Sequence, residues 1–180
     1  MKHAIFAFTA LLISVVGLCQ ASYTPIDAGS KVHFTIKNFA IKTGGDFKGL
    51  TGAIKFDPTK LNTSNFAVSV AVATIDTDSE MRDDHLKEDD YFDVAQYPLI
   101  SFISTRITTS GLKGRFYLFG NLTIKGTTKP VEFGFSATPS NGGYLFDGTF
   151  DINRLDFKVG EESISLQDKV TIALKVFAKK

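Results

Sequence analysis

Side chains of alternating polarity fill most of the chain beyond Ser30, and a period of two commits a backbone to extended strands. Lys31 to Asn38 sets Val32, Phe34 and Ile36 against His33, Thr35 and Lys37. Phe47 to Phe56 continues the pattern, with Gly49 and Gly52 marking a bend or bulge and Asp57-Pro58 ending the strand. Asn65 to Ile75 carries Phe66, Val68, Val70 and Val72 on one face and Ala67, Ser69, Ala71 and Ala73 on the other. Neither face is charged, so the small one either receives a helix or leaves room inside a barrel.

Leu99 to Thr108 resumes as a strand, with Ile100 and Phe102 on one face and Leu99, Ile103 and Ile107 on or near the other. Arg115 to Ile124 puts Phe116, Leu118, Leu122 and Ile124 on one side; Lys125-Gly126 starts a tight turn, and Val131, Phe133 and Phe135 follow. Asn141-Gly142-Gly143 is a hairpin signal. Beyond it Tyr144, Phe146, Phe150 and Ile152 alternate with Asp147, Thr149 and Asp151, and Asp168 to Lys179 ends the chain with Val170, Ile172, Leu174 and Val176. About eight strands linked mainly by short turns predict an all-β protein, an eight-stranded antiparallel barrel with a short helical insert. Such a barrel is just wide enough to be filled by side chains or to hold one small ligand. A two-sheet sandwich is the competing architecture.

The start of the chain has a different character. Met1-Lys2-His3 is basic, Ala4 to Leu18 is uncharged and mostly apolar, and small residues lead to Ala21-Ser22. This is the layout of a secretory signal peptide over residues 1–21, with the apolar run too short to span a bilayer. It predicts a periplasmic or secreted protein whose mature part, residues 22–180, forms a single domain with no transmembrane span. Cys19 offers a lipid anchor as a second reading, which the bulky Leu18 before it disfavours. Cys19 is the sole cysteine, so cleavage after Ala21 leaves a domain that holds together without disulfides. Without Lys2 the 20 Lys and Arg fall to 19, equal to the 19 Asp and Glu. A balance near zero with no basic patch excludes nucleic acid as an expected partner.

Seventeen Phe and no Trp remain to be explained. Phe supplies large apolar area with no polar atom to satisfy, which suits a thick dry core or a dry cavity. Small residues (Ala67, Ala71, Ala73, Gly120, Gly134 and Gly148) sit among the large ones, a pattern that suits either tight interdigitation or a narrow tunnel with aromatic walls. The expected lining is Phe34, Phe102, Phe116, Phe133, Phe135, Phe146 and Phe150, with Tyr91 and Phe92 near the mouth.

One segment breaks the strand pattern. Ser79 to Asp93 gathers charged residues around Leu86 and the pair Tyr91-Phe92 and is expected to be helical. Arg82 and His85, three apart, are candidates to meet a polar head group, since a guanidinium forks onto two phosphate oxygens. The structural alternative has Asp76, Thr77 or Ser79 capping the helix while Arg82 pairs with Asp83, Asp93 or Asp156. His33 and His85 lie in separate elements, so no metal site is expected. No nucleophile motif accompanies His85, so no catalytic residue is assigned.

Six stretches in order carry a family resemblance: SKVHFTIKNF (30–39), DFKGLTGAIKFDP (46–58), IDTDSEMRDDHL (75–86), YFDVAQYPLISF (91–102), GNLTIKGTTKPV (120–131) and INRLDFKVG (152–160). Together they resemble the YceI-like proteins, lipocalin-like polyisoprenoid-binding proteins of bacteria. The resemblance implies a long antiparallel barrel with an amphipathic helix near its mouth. It also implies a long-chain ligand inside, a polyisoprenoid, an isoprenoid quinone tail or a similar lipid, with no other cofactor, and it implies export to the periplasm. The expected function is to bind, sequester or carry that ligand. The alternatives are a filled-core domain acting on a protein partner through the charged insert, and a His85-dependent enzyme. A homodimer formed through an exposed face is a further expectation.

Overall fold

The computed structural model describes residues 21–180, so the predicted signal peptide, apart from Ala21, lies outside the described residues. The strands are β1 (Ser22–Asn38), β2 (Ile41–Lys55), β3 (Asn65–Asp76), β4 (Leu99–Thr109), β5 (Arg115–Ile124), β6 (Thr127–Ser140), β7 (Gly143–Asn153) and β8 (Leu166–Lys179). Each pairs antiparallel with the next, and β8 returns to β1, closing the expected eight-stranded barrel. Among the described residues there is one α-helix, α1 (Glu80–Lys87), which follows β3.

Local chemistry sets the register. Lys125-Gly126 and Asn141-Gly142 both have positive φ at each position, the hairpin geometry that matches strand twist. Ser140 consequently faces Gly143, and the β6–β7 faces are in phase. In β2, Gly49 and Gly52 have φ of 73° and 111°, and the β2–β3 register shifts beside them. The Asp27 carboxylate accepts hydrogen bonds from the Gly49 and Leu50 amides at 3.0 and 2.9 Å, which pins this bend. β1 bends opposite it, where Ser30 donates to the Ile26 carbonyl and accepts from the Phe177 amide.

The two ends of the barrel differ. At one end Phe56, only 2% exposed, meets the rings of Phe66, Phe116, Phe135, Tyr144 and Phe146 at centroid distances of 5.2 to 6.2 Å. This aromatic plug closes the barrel. Burial there pushes the Tyr144 phenol above its ordinary pKa, with a smaller contribution from Tyr23. At the other end, which we call the mouth, lie the β1–β2 turn, α1 with the segment that follows it to Pro98, the β5–β6 turn, and residues 154–165.

The predicted faces hold with two differences. Ala67 and Ala73 point outward and are exposed, as is Gly134, so these small residues do not widen the interior. Gly120 and Gly148 are the inward ones. A Cβ at Gly120 would collide with the Phe102 ring, and one at Gly148 would crowd Phe133 at 3.2 Å. In β4 a register shift between Ser104 and Arg106 turns Ile107 inward, while Leu99 and Ile103 stay outside.

Candidate functional site

Between plug and mouth the barrel encloses a cavity of about 390 Å³. Its walls are the inward side chains of the strands, among them Val32, Phe34 and Ile36 of β1, Val68 and Val70 of β3, Ile100 and Phe102 of β4, and Ile172 and Leu174 of β8. The rings of Phe133 and Phe150 stack at 4.4 Å and form a flat patch of wall. An interior of this chemistry offers dispersion and desolvation to a ligand and almost no hydrogen bonds along its length.

Leu86 of α1 and Phe92 reach down onto Phe47, Val70, Val72 and Ile75, and Phe47 meets Phe92 edge-on at 5.8 Å. Tyr91 and Phe92 also pack beside Phe157 and Val159 from the opposite rim. A backbone bond from the Gly160 amide to the Asp90 carbonyl, 2.9 Å, ties the two sides together. The insert therefore covers part of the opening. Arg82 and His85 belong to the cavity wall, yet both are exposed, so the cavity meets solvent beside them.

The helix start departs from the structural alternative in both its cap and its ion pair. Ser79 holds the N-cap position, but its side chain makes no capping bond. Instead Asp83, in the first turn, accepts from the Thr77 amide at 2.9 Å and from the Thr77 hydroxyl at 2.5 Å. A carboxylate reaches farther than a hydroxyl and complements the positive end of the helix dipole. Arg82 pairs with none of Asp83, Asp93 or Asp156 among the described residues. Its Nε donates to the Thr77 hydroxyl at 2.8 Å and Nη2 donates to the Thr77 carbonyl at 2.5 Å. Both neighbours thus brace Thr77, which is buried against Gly45 at the rim. Arg82 Nη1 has no hydrogen bond among the described residues.

His85 Nδ1 lies 3.0 Å from a Glu88 carboxylate oxygen, and its ring meets Tyr91 at 4.9 Å. His85, Glu88 and Asp90 bring ligand atoms within 4.8 Å of one another, all on exposed side chains.

Ten of the eleven residues expected at a ligand site border the cavity: Phe34, Arg82, His85, Tyr91, Phe92, Phe102, Phe133, Phe135, Phe146 and Phe150. Phe116 does not. Its ring sits in the plug, 5.3 Å from Phe56 and 5.4 Å from Phe135, below the cavity floor. Phe47, Phe157 and Arg154 border the cavity without having been expected there. Arg154 is buried, and its guanidinium donates to the carbonyls of Gln167, Val159 and Glu161 and to Asp168 at 2.6 to 3.2 Å. Its donors are committed to holding the 154–168 segment over the rim.

A barrel plugged at one end and hollow beneath a short helix at the other defines a class of closed β-barrels built around an apolar cavity. The family model for the YceI-like domain matches residues 23–178, and the chain belongs to the YceI-like family. A UPF0312 protein of Pseudomonas syringae pathovar syringae is 35% identical over 121 residues, covering 64% of this chain and 62% of the relative's length. A UPF0312 protein of Ectopseudomonas mendocina is 27% identical over 98% of this chain and 97% of its own. Among solved structures, Burkholderia cenocepacia BcnA superposes with a TM-score of 0.80 at 30% identity, over 84% of this chain and 98% of that one. A polyisoprenoid binding domain from Saccharophagus degradans, implicated in plant cell wall breakdown, shares the fold at a TM-score of 0.70 and 12% identity, over 89% and 99% of the two chains. No helix among the described residues is long and apolar enough to cross a membrane.

Proposed function

We propose that the protein binds one long-chain lipid, an isoprenoid or a chain of similar width, with its tail in the barrel and its polar head beside Arg82 and His85. The observation that carries this reading is the apolar cavity of about 390 Å³, floored by the Phe56 plug and reaching solvent beside two basic side chains. Each buried methylene contributes about 0.8 kcal/mol, so roughly ten carbons contribute about 8 kcal/mol against an association cost of about 4–15 kcal/mol. Affinity then grows with tail length, and the head group chiefly sets orientation. Arg82 Nη1 and the His85 ring are placed to meet an anionic or carbonyl oxygen. The polyisoprenoid binding of the Saccharophagus degradans domain is consistent with such a ligand. The basic, apolar character of residues 1–21 supports a reading in which this activity lies outside the cytoplasm.

Mass spectrometry of an organic extract of natively purified protein is the direct test, and a stoichiometric lipid is the expected result. Ile172 borders the cavity beside Phe34 and Phe150. Ile172→Trp should obstruct the tunnel between Phe34 and Phe150 and sharply reduce uptake of a pyrene-labelled fatty acid while the far-ultraviolet spectrum stays that of a β-protein. Lipid-free extracts, together with probe uptake that Ile172→Trp leaves intact, would defeat the reading.

A further inference from the structure

The β1–β2 turn carries a large side chain where folding gains nothing from it. Phe39 has a φ of 53° and is 73% exposed, and Ile41 beside it is 71% exposed. A non-glycine residue is strained at such a φ, and asparagine tolerates it better than phenylalanine does. Ile164, fully exposed, belongs to the same spot, because the Phe39 amide donates to the Ser165 carbonyl at 2.6 Å. Next to this tip Lys37 and Lys42 face each other across the hairpin. The inward neighbours Ile36, Asn38 and Thr43 border the cavity, so the apolar tip continues into the cavity wall. Glu161 and Glu162 lie on the Ile164 loop, and the acidic insert occupies the α1 side of the same end.

We propose that this side of the mouth docks on an anionic lipid bilayer. Phe39, Ile41 and Ile164 enter the head-group and acyl boundary, and Lys37 and Lys42 meet anionic head groups. The lipid-carrying consequence rests on the function proposed above: a chain passes from leaflet to cavity along Ile36 without crossing water. The docking itself is a separate claim. A second copy of this chain fits the patch poorly. Three side chains fall far short of the 1,200–2,000 Å² or so that stable interfaces bury, and an isologous contact would set Lys37 and Lys42 against their own copies. The acidic α1 side, and Glu161 and Glu162 beside Ile164, are repelled by the same anionic surface, which tilts the barrel onto the Lys37–Lys42 hairpin and leaves Ile164 at the edge of the contact.

Flotation of the purified protein with phosphatidylcholine vesicles, with and without phosphatidylglycerol, tests the docking. The protein is expected to float, more strongly with phosphatidylglycerol. Phe39→Asn combined with Ile41→Thr should lower partitioning about tenfold or more. The same variant should melt no lower than the parent, because asparagine relieves the strained turn. It should still take up dispersed pyrene-labelled fatty acid, while transfer of that probe from vesicles slows. Lys37→Glu with Lys42→Glu should remove the preference for phosphatidylglycerol. Ile172→Trp separates the two claims, since it should block probe uptake and leave flotation unchanged. A parent that does not float, a Phe39→Asn/Ile41→Thr variant that floats equally well, or a concentration-dependent dimer broken by that variant overturns the docking proposal.

Discussion

Phe56 touches five other aromatic rings and does not itself border the cavity, so its burial serves the plug. Phe56→Ala should destabilise the protein by about 3–5 kcal/mol, the range for a fully buried Phe, as read by urea unfolding. Probe affinity, measured below the unfolding transition, should change little because the cavity walls remain. Arg82 makes a contrasting case. Arg82→Ala leaves the buried Thr77 carbonyl and hydroxyl without their guanidinium donors, a loss of about 1–3 kcal/mol. If Nη1 also holds the ligand head, affinity for a fatty acid falls while affinity for the matching hydrocarbon does not. Equal losses for both ligands would confine Arg82 to bracing Thr77. Tyr144 contributes a pH dependence. Its folded pKa is raised by burial, so the folded state holds the phenolic proton more tightly than the unfolded chain does. That contribution is fully present below the ordinary tyrosine pKa of about 10 and is lost as pH rises through the folded value. Tyr144→Phe should flatten this alkaline fall in melting temperature.

At the scale of elements, α1 is attached less firmly than any strand. Leu86 is the only apolar side chain it turns toward the barrel, and its other fastenings are the Thr77 bonds and the Asp90–Gly160 backbone bond. Leu86→Ala should therefore speed probe release by roughly tenfold in stopped flow, yet lower global stability by only about 1 kcal/mol because Leu86 is partly buried. Unchanged release would show that ligand leaves by another route. What was legible in the sequence follows the same division. Strand faces could be read, because alternation and the Asn141-Gly142 turn are local properties. Depth along the barrel could not. Phe116 and Phe133 share an inward phase on neighbouring strands, but one lies in the plug and the other on the cavity wall, since their positions depend on pairings set by distant bulges. The first half of β1 was missed because Pro25 and Gly29 interrupt the pattern, and its bend is held by Asp27 and Ser30 acting on β2 and β8. Arg154 lies beyond the alternating pattern of β7, where nothing local marks it out. Its role rests on carbonyls up to 13 positions away, which no spacing rule announces.

For the whole molecule, the polarity of the barrel predicts how it opens. Closure of β1 onto β8 leaves no free edge, so strands cannot peel away singly without breaking the ring of hydrogen bonds. The plug end adds the aromatic contacts around Phe56, whereas the mouth is covered by segments held through a few side chains and the backbone bonds Gly160 to Asp90, Phe39 to Ser165 and Val72 to Pro98. Native-state hydrogen exchange should then divide the molecule. Amides of β5 and β6 near Phe116 and Phe135 should exchange only with global unfolding, and those of residues 80–98 and 158–165 through smaller openings that leave the barrel closed. Ligand binding shifts both by mass action, about 2.7 kcal/mol at a hundredfold excess over Kd. Openings that release the ligand lose that protection, so bound fatty acid must slow the mouth amides if the insert gates the cavity. If ligand leaves without the insert moving, mouth exchange stays at its ligand-free rate while the plug amides slow. Ile172→Trp supplies the control, because with the cavity obstructed neither set should respond to added ligand.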